Sequence, residues 1–290
     1  MDNKNNFTKS EVLPDNIVRR YQVETTSKYT IAGRPLFETS SKIKMSIVCS
    51  EIVGNHYLLD IRILSQANNY GLEFLEQKYL NLLDKVNDIQ SHLLVSMDLS
   101  GKLKDILNFS ELHEKWESIK TDITDPSAEI AKIISDGDQQ YTHGSQFFAA
   151  ELNKTTLYKT LGIGLLSFDG IRKEDDKTFP YNTSSLLFPQ INKKVSIALD
   201  DIVYFSDTPS YLLIFKNKHS REDSEVKSEF IKNFPFLKKQ MGEYKYDLFC
   251  SVERENKSRW PNSIELTISE VLEPIVSDVA CKIELIKENL

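Results

Sequence analysis

The segment from Lys42 to Leu64 reads KIKMSIVCSEIVGNHYLLDIRIL and carries the clearest structural pattern in the chain. Apolar side chains occupy alternate positions on both sides of a polar break at Gly54-Asn55-His56. Alternation with a period of two is typical of strands that have one buried face and one exposed face. Glycine and asparagine also tolerate the positive φ angles of tight hairpin turns. The segment therefore predicts two long antiparallel strands joined by a hairpin.

The same alternation returns near the C-terminus, in Tyr244 to Val252, Ile264 to Ile268 and Val279 to Leu285. Elsewhere, apolar residues recur every three or four positions, which predicts amphipathic helices. These helices are expected at residues 72–92, 110–122, 126–135 and 143–160. Together the patterns predict an α+β fold. Its core would be a large curved antiparallel β-sheet of roughly eight to ten strands, with several helices packed on one face.

Changes in composition divide the chain into segments. Residues 1–15 are polar and predict a disordered N-terminal tail. Residues 16–165 hold the β-hairpins and a helical insertion, and residues 190–290 predict an antiparallel meander with one helix interrupted at Pro235. The stretch from Leu161 to Pro189 is irregular and predicts a loop or a domain joint. One continuous domain and two domains both stay open.

Composition and charge argue against several classes of function. The chain has 290 residues, 36 basic and 43 acidic side chains and a net charge of −7, which disfavours a dedicated surface for nucleic acid. No stretch approaches the roughly 18 consecutive apolar residues of an integral membrane segment. Three scattered cysteines and a polar start predict a cytoplasmic protein, or a periplasmic or surface one if a signal sequence has been removed. The abundance of Asn, Lys, Ile and Ser suggests a bacterial source.

One short segment concentrates titratable side chains, namely Asp136, Asp138 and His143. These residues are the first to inspect if the protein is an enzyme. The beginning of a calcium-binding loop is not continued, because Tyr141 stands where such a loop needs glycine. A helix that ends at Gly137 is the structural alternative. The sequence predicts no cofactor and no metal site, and it contains no Gly-x-Ser-x-Gly motif.

Two further features have a chemical and a structural interpretation. The sequence Leu161-Gly162-Ile163-Gly164 lacks the third glycine of a dinucleotide-binding turn and follows a predicted helix, so close packing is the better interpretation. Four aromatic residues are candidates for a binding surface, which would place them at a docking hot spot or around a cavity. They are Phe234, Phe236, Phe147 and Phe148. Their structural alternative is a kinked helix end for the first pair and a filled core for the second.

The order of elements resembles that of bacterial half-barrel lipoprotein carriers. The resemblance rests on the strands between Ile43 and Ile63, the helix from Leu72, the hairpin around Ser100-Gly101 and the meander from Tyr244. It implies long antiparallel strands in a curved sheet, with helices against the concave side. It includes no specific motif, so it transfers no functional residue. The carriers act outside the cytoplasm, whereas this chain begins without an apparent signal.

Three functions stay open at this point. The first is a non-enzymatic interaction protein, such as an adaptor, a chaperone or an immunity-type partner of another protein, which would use exposed strand edges. The second is a carrier of an apolar ligand or lipid in a cavity of the curved sheet. The third is an enzyme of unrecognised type.

Overall fold

One sheet of eleven antiparallel strands organises the part of the chain that the computed structural model describes. The described residues are 16–53, 56–71, 76–123, 127–165, 178–205, 210–217, 223–255 and 260–287. The strands are β1 (Arg19–Ile31), β2 (Arg34–Val53), β3 (His56–Asn69), β4 (His92–Asp98), β5 (Leu103–Ile106), β6 (Thr178–Ser184), β7 (Asn192–Tyr204), β8 (Ser210–Asn217), β9 (Tyr244–Glu255), β10 (Pro261–Leu272) and β11 (Ile275–Leu285). The helices are α1 (Gln77–Asp88), α2 (Phe109–Asp122), α3 (Ala128–Thr142), α4 (Ser145–Leu152), α5 (Thr156–Leu165) and α6 (Ser224–Asn233).

The spatial order of the strands is β5-β4-β3-β2-β1-β11-β10-β9-β8-β7-β6. The first and the last strand are therefore neighbours, and they join an N-terminal and a C-terminal meander at the centre of the sheet. Their register runs from Tyr21 opposite Leu285 to Ile31 opposite Ile275. The predicted α+β fold, with a large antiparallel sheet and helices, is confirmed, and so is the β2–β3 hairpin.

Alternation along each strand separates the two faces of the sheet. On one face, Val23 of β1 lies opposite Ile283 of β11, and both side chains are buried. On the other face, Glu24 lies opposite Lys282 in the same strand pair, and both side chains are exposed to solvent. Successive side chains of a strand point to opposite faces, so one face packs into the core while the other stays polar.

Helix α5 lies against the centre of the buried face, where it contacts β1, β9, β10 and β11. Its residues from Tyr158 to Leu165 are all buried. Gly162 touches the backbone of Gly101 in the β4–β5 turn, and Gly164 touches the side chain of Ile264. Glycine permits this approach because any Cβ would overlap the facing atoms. The interpretation of the two glycines as packing positions is confirmed.

Two predictions of helix bounds are wrong. Helix α3 continues past Gly137 to Thr142, because Gly137 lies directly beneath the ring of Trp116 and does not end the helix. The helix expected at residues 143–160 is two helices, α4 and α5, and α5 extends to Leu165 into the stretch predicted as a loop. Since α5 is buried on all sides, it lacks the polar face that makes a helix recognisable.

The remaining helices follow the predicted pattern. Helix α1 lies within the expected range 72–92, of which residues 72–75 fall outside the described chain. Helix α6 ends at Asn233, and a 3-10 helix (Pro235–Gln240) follows, as the interruption at Pro235 predicts. The predicted tail, residues 1–15, lies outside the described residues, and the division into domains stays a prediction. Within the described chain, no helix has the length and apolar character to cross a membrane.

Candidate functional site

The three residues predicted as candidate catalytic groups have separate partners in the structure, and a catalytic role for them stays a prediction. Asp138 accepts hydrogen bonds from Lys120 Nζ at 2.8 Å and Trp116 Nε1 at 2.9 Å. These donors hold the pKa of the Asp138 carboxyl below its usual value. The Nδ1 atom of His143 lies 2.8 Å from the carbonyl oxygen of Gln139 in the preceding turn. Asp136 is exposed and lines a pocket described below.

The four aromatic candidates also occupy different environments. Phe148 is fully buried and packs against Tyr141, with ring centroids 5.1 Å apart. Phe147 is half-buried and lines the same pocket as Asp136. Phe234 packs against the core, whereas Phe236 leaves 75% of its surface exposed. A binding role for these residues stays a prediction.

A buried polar network, which the sequence reasoning missed, lies at the C-terminal half of the sheet. Its centre is Glu270 of β10, whose side chain is fully buried. The carboxylate accepts hydrogen bonds from the hydroxyls of Ser185 at 2.8 Å and Tyr244 at 2.9 Å. It also accepts from the backbone amides of Leu186 and Leu187. A buried carboxylate needs such donors, because an unpaired charge in the interior is very costly.

Two more charged residues complete the network, which we call the Glu270 cluster (Ser185, Lys193, Asp223, Tyr244 and Glu270). Lys193 Nζ lies 2.5 Å from Asp223 Oδ2 and 4.0 Å from Glu270 Oε1, and it donates to the Tyr244 hydroxyl. Burial, together with the negative charge of Glu270, raises the pKa of Tyr244 well above its usual value. The cluster therefore holds the segment after β6 firmly against β9 and β10.

A pocket of about 600 Å³ opens beside this cluster, between the helical layer and the sheet. We call it the Lys159 pocket. The exposed side chains of Asp136, Lys154 and Thr155 lie at its mouth. Buried side chains form its base, namely Lys159, Ser184, Ser185 and Val279. The volume falls within the range of small-molecule sites in proteins.

The base of the pocket contains two polar groups without partners. Lys159 in α5 is only 5% exposed, and its ammonium group has no hydrogen-bond acceptor among the described residues. Burial lowers the pKa of Lys159 to about 8, against an opposing effect of the Glu270 carboxylate. Ser184 is 8% exposed, and its hydroxyl likewise lacks a partner within the described chain. Unsatisfied buried groups and groups with a shifted pKa that line a cleft are candidates for a functional site.

Comparison with known proteins does not assign a family. No family model matches the chain, and no curated protein matches it in sequence. The solved structures that are similar in fold include a lipovitellin structure named for lipid–protein interactions, with 10% sequence identity and a TM-score of 0.45. The match covers 96% of this chain and 26% of the lipovitellin chain, so this chain spans about a quarter of that protein's length.

A second depression, of about 870 Å³, lies on the opposite, polar face of the sheet. Its lining mixes cations such as Lys28 and Lys245 with carboxylates such as Asp247 and Asp278. Across the described ranges, no three His, Cys, Asp or Glu side chains come together in an arrangement that could hold a metal ion. The Lys159 pocket is thus the better-built candidate site.

One signal in the sequence could have located the Glu270 cluster. Glu270 continues the buried phase of β10 after Ile264, Leu266 and Ile268. Lys193 precedes Val195 and Ile197 on the buried phase of β7 in the same way. A charged residue on the apolar phase of a strand predicts a buried polar partner. Lys159 carries no comparable signal, because the sequence does not show that α5 is buried on all sides.

Proposed function

We propose that this protein binds a small amphipathic molecule in the Lys159 pocket and carries it without changing its covalent structure. The observation that supports this most directly is a pair of buried residues in the pocket lining, Lys159 and Ser184, whose side-chain donors have no hydrogen-bond partner within the described chain. Their desolvation destabilises the empty protein, and a bound molecule with an acceptor group would offset that cost.

The Glu270 cluster supports binding rather than chemistry at this place. Four donors already occupy the Glu270 carboxylate, and Lys193 is engaged by Asp223 and Tyr244. Groups held in this way fix the pocket wall between Ser184 and Pro189. Rigid walls with a few well-placed polar groups are typical of binding sites.

The remaining lining explains why the ligand would be amphipathic. Apolar surface comes from Phe147, Leu186, Pro189 and Val279, and it lies beside the polar base. The lining is therefore mixed, unlike the mainly apolar cavity expected of a lipid carrier. Helix α5 fills the buried face of the sheet where such a cavity would otherwise lie.

Native mass spectrometry of the full chain, gently isolated from its own host, tests this proposal. We expect an additional mass of a few hundred daltons, on the scale that such a pocket encloses, released by organic solvent. Ser27→Phe, in the pocket lining, should abolish the additional mass. Thr26→Phe is the matched control, because Thr26 lies on the opposite face of the same strand. A wild-type chain without additional mass would refute the proposal. An additional mass that organic solvent does not release would favour an enzyme with a covalent intermediate.

A protein-interaction role is a second proposal, supported by a different observation. Phe236 is 75% exposed beside Phe234, and exposed aromatic side chains are frequent anchors of protein interfaces. Co-purification under gentle conditions, compared between the wild type and Phe236→Ala, tests it. If no polypeptide copurifies with the wild type, this role loses its support.

A further inference from the structure

The charge of Lys159 limits what the ligand of the Lys159 pocket can be. Lys159 is the fourth residue of α5, it belongs to the pocket lining, and only 5% of its surface is exposed. An ammonium group carries three donors and no acceptor. Only an acceptor, and best an anion, can satisfy it at this position.

The beginning of α5 adds further donors at the same place. The first-turn amides of a helix have no acceptor within the helix, and the helix dipole gives this end a partial positive charge. Thr156 begins α5 and lines the pocket, whereas the amide of Thr155, just before the helix, already donates to the carbonyl oxygen of Leu152 at 2.9 Å. The buried Ser184 hydroxyl provides one more donor. A cation, a helix N-terminus and a hydroxyl at one pocket base form a binding site for an anionic group.

The surrounding charges favour a single negative charge over two. Lys154, at the mouth, is paired with Glu151 at 2.5 Å, which leaves Lys159 as the cation of the described lining that has no ion-pair partner within 4 Å. Asp136 and Glu151 in the lining and Glu270 behind the base are all acidic. A dianionic phosphate would meet more repulsion from these groups than a carboxylate would.

From these observations we infer that the Lys159 pocket takes a carboxylic acid with an apolar tail, bound as its carboxylate. The carboxylate accepts from Lys159, from Ser184 and from the first turn of α5. The tail lies along the apolar part of the lining, between Phe147 and Leu186. This inference rests on the proposed function, since it names the chemical class of the ligand for that same pocket.

Calorimetric titration of the full chain, after solvent extraction and refolding, tests the inference with three probes: decanoate, 1-decanol and decyl phosphate. At pH 7, below the Lys159 pKa of about 8, we expect decanoate to bind most tightly. Lys159→Met should weaken decanoate about tenfold or more and change decanol little, because a charge-assisted hydrogen bond is lost. Lys232→Met, on the exposed face of α6 and outside the pocket lining, is the matched control and should change decanoate binding less than about threefold.

Each other outcome has a definite meaning. Two results would contradict the inference that the ligand is a carboxylate: equal binding of decanol and decanoate, or decanoate binding that does not change in Lys159→Met. Either result would leave a carrier function in place. Tighter binding of decyl phosphate would assign a phosphate instead. If no probe binds, the inference fails; the native mass measurement on the isolated protein then decides separately whether the carrier proposal fails with it.

Discussion

The hydroxyl of Ser185 donates a hydrogen bond to the carboxylate of Glu270 at 2.8 Å, across 85 positions of the chain. Both side chains are buried, and Ser185 Oγ also accepts from the amide of Phe188 at 3.0 Å. Strand β10 thus fixes the segment that forms one wall of the Lys159 pocket. The stability of the fold and the shape of the pocket depend on the same carboxylate.

Glu270→Gln is therefore expected to destabilise the protein strongly. The side-chain amide of glutamine would place two N–H groups against the hydroxyl donors of Ser185 and Tyr244. It would also leave the ammonium group of Lys193 beside a neutral group instead of a carboxylate. Removing one partner from a buried charged network costs about 3–5 kcal/mol of unfolding free energy. Urea denaturation measures this loss.

Glu265→Gln is the matched control for that experiment. Glu265 lies on the exposed face of the same strand, 3.6 Å from Lys282 Nζ. Exposed ion pairs contribute at most about 1 kcal/mol. Equal effects of the two substitutions would show that the Glu270 cluster does not fix the pocket wall.

Lys159→Met should stabilise the ligand-free protein. Burial lowers the pKa of Lys159 from 10.5 to about 8. The Lys159 amine therefore binds its proton more weakly in the folded state than in the unfolded state. This difference corresponds to a penalty of about 3 kcal/mol at neutral pH, which the substitution removes. Urea denaturation of extracted protein should show the gain, whereas Lys154→Met should show none.

The sign of the pH dependence follows from the same difference. Between the folded pKa of about 8 and the unfolded value of 10.5, the unfolded state binds more protons, so the penalty shrinks as pH rises. The difference in unfolding free energy between Lys159→Met and the wild type should therefore be largest below about pH 8. It should decrease as the pH rises towards the unfolded pKa. A gap that stays constant through this window would mean that Lys159 is not a buried charge.

Binding of decanoate should weaken as the pH rises above the pKa of about 8, because the Lys159 ammonium loses its proton. A bound carboxylate stabilises the ammonium, so the pKa of Lys159 in the complex lies above its pKa in the ligand-free protein. The charged groups that face Lys159 from neighbouring elements are Asp136, Glu151, Lys154 and Glu270. Titration calorimetry at several pH values checks this, with 1-decanol as the pH-independent control.

Gly162→Ala should destabilise the protein although alanine is the better helix former. In an open helix, the change would gain about 1 kcal/mol. Here a Cβ would overlap the carbonyl oxygen of Gly101, which itself has a φ of +76° in the β4–β5 turn. We expect a loss of about 2–3 kcal/mol from this overpacking.

Gly33→Ala separates backbone strain from close packing. Gly33 has a φ of +74°, but no heavy atom lies within 4 Å of the position of a Cβ. The left-handed conformation alone costs alanine about 1–2 kcal/mol. Thermal unfolding measures the stability of both variants. If Gly162→Ala is as stable as the wild type, the tight contact between α5 and the β4–β5 turn is contradicted.

Local patterns determined much of the sheet in advance. Strands β2, β3 and β9–β11 are predictable because each has one buried and one exposed face, and the period of two records this in the sequence. Helix α2 is predictable for the same reason, since its apolar stripe faces the core around Trp116. In the sequence, the residue types at positions 54 and 55 predict the hairpin because both tolerate positive φ, although these two residues lie outside the described chain.

Local patterns in the sequence predict the α+β class, the long antiparallel strands and the interruption at Pro235. The pairing of β1 with β11, the burial of α5 at the centre of the sheet and the approach of Lys193 to Glu270 appear only in the folded structure. The physical reason is that alternation reports which face of an element is buried, but not which element covers it. Contacts such as that between Ser185 and Glu270 join residues far apart in the chain, and no local period encodes them.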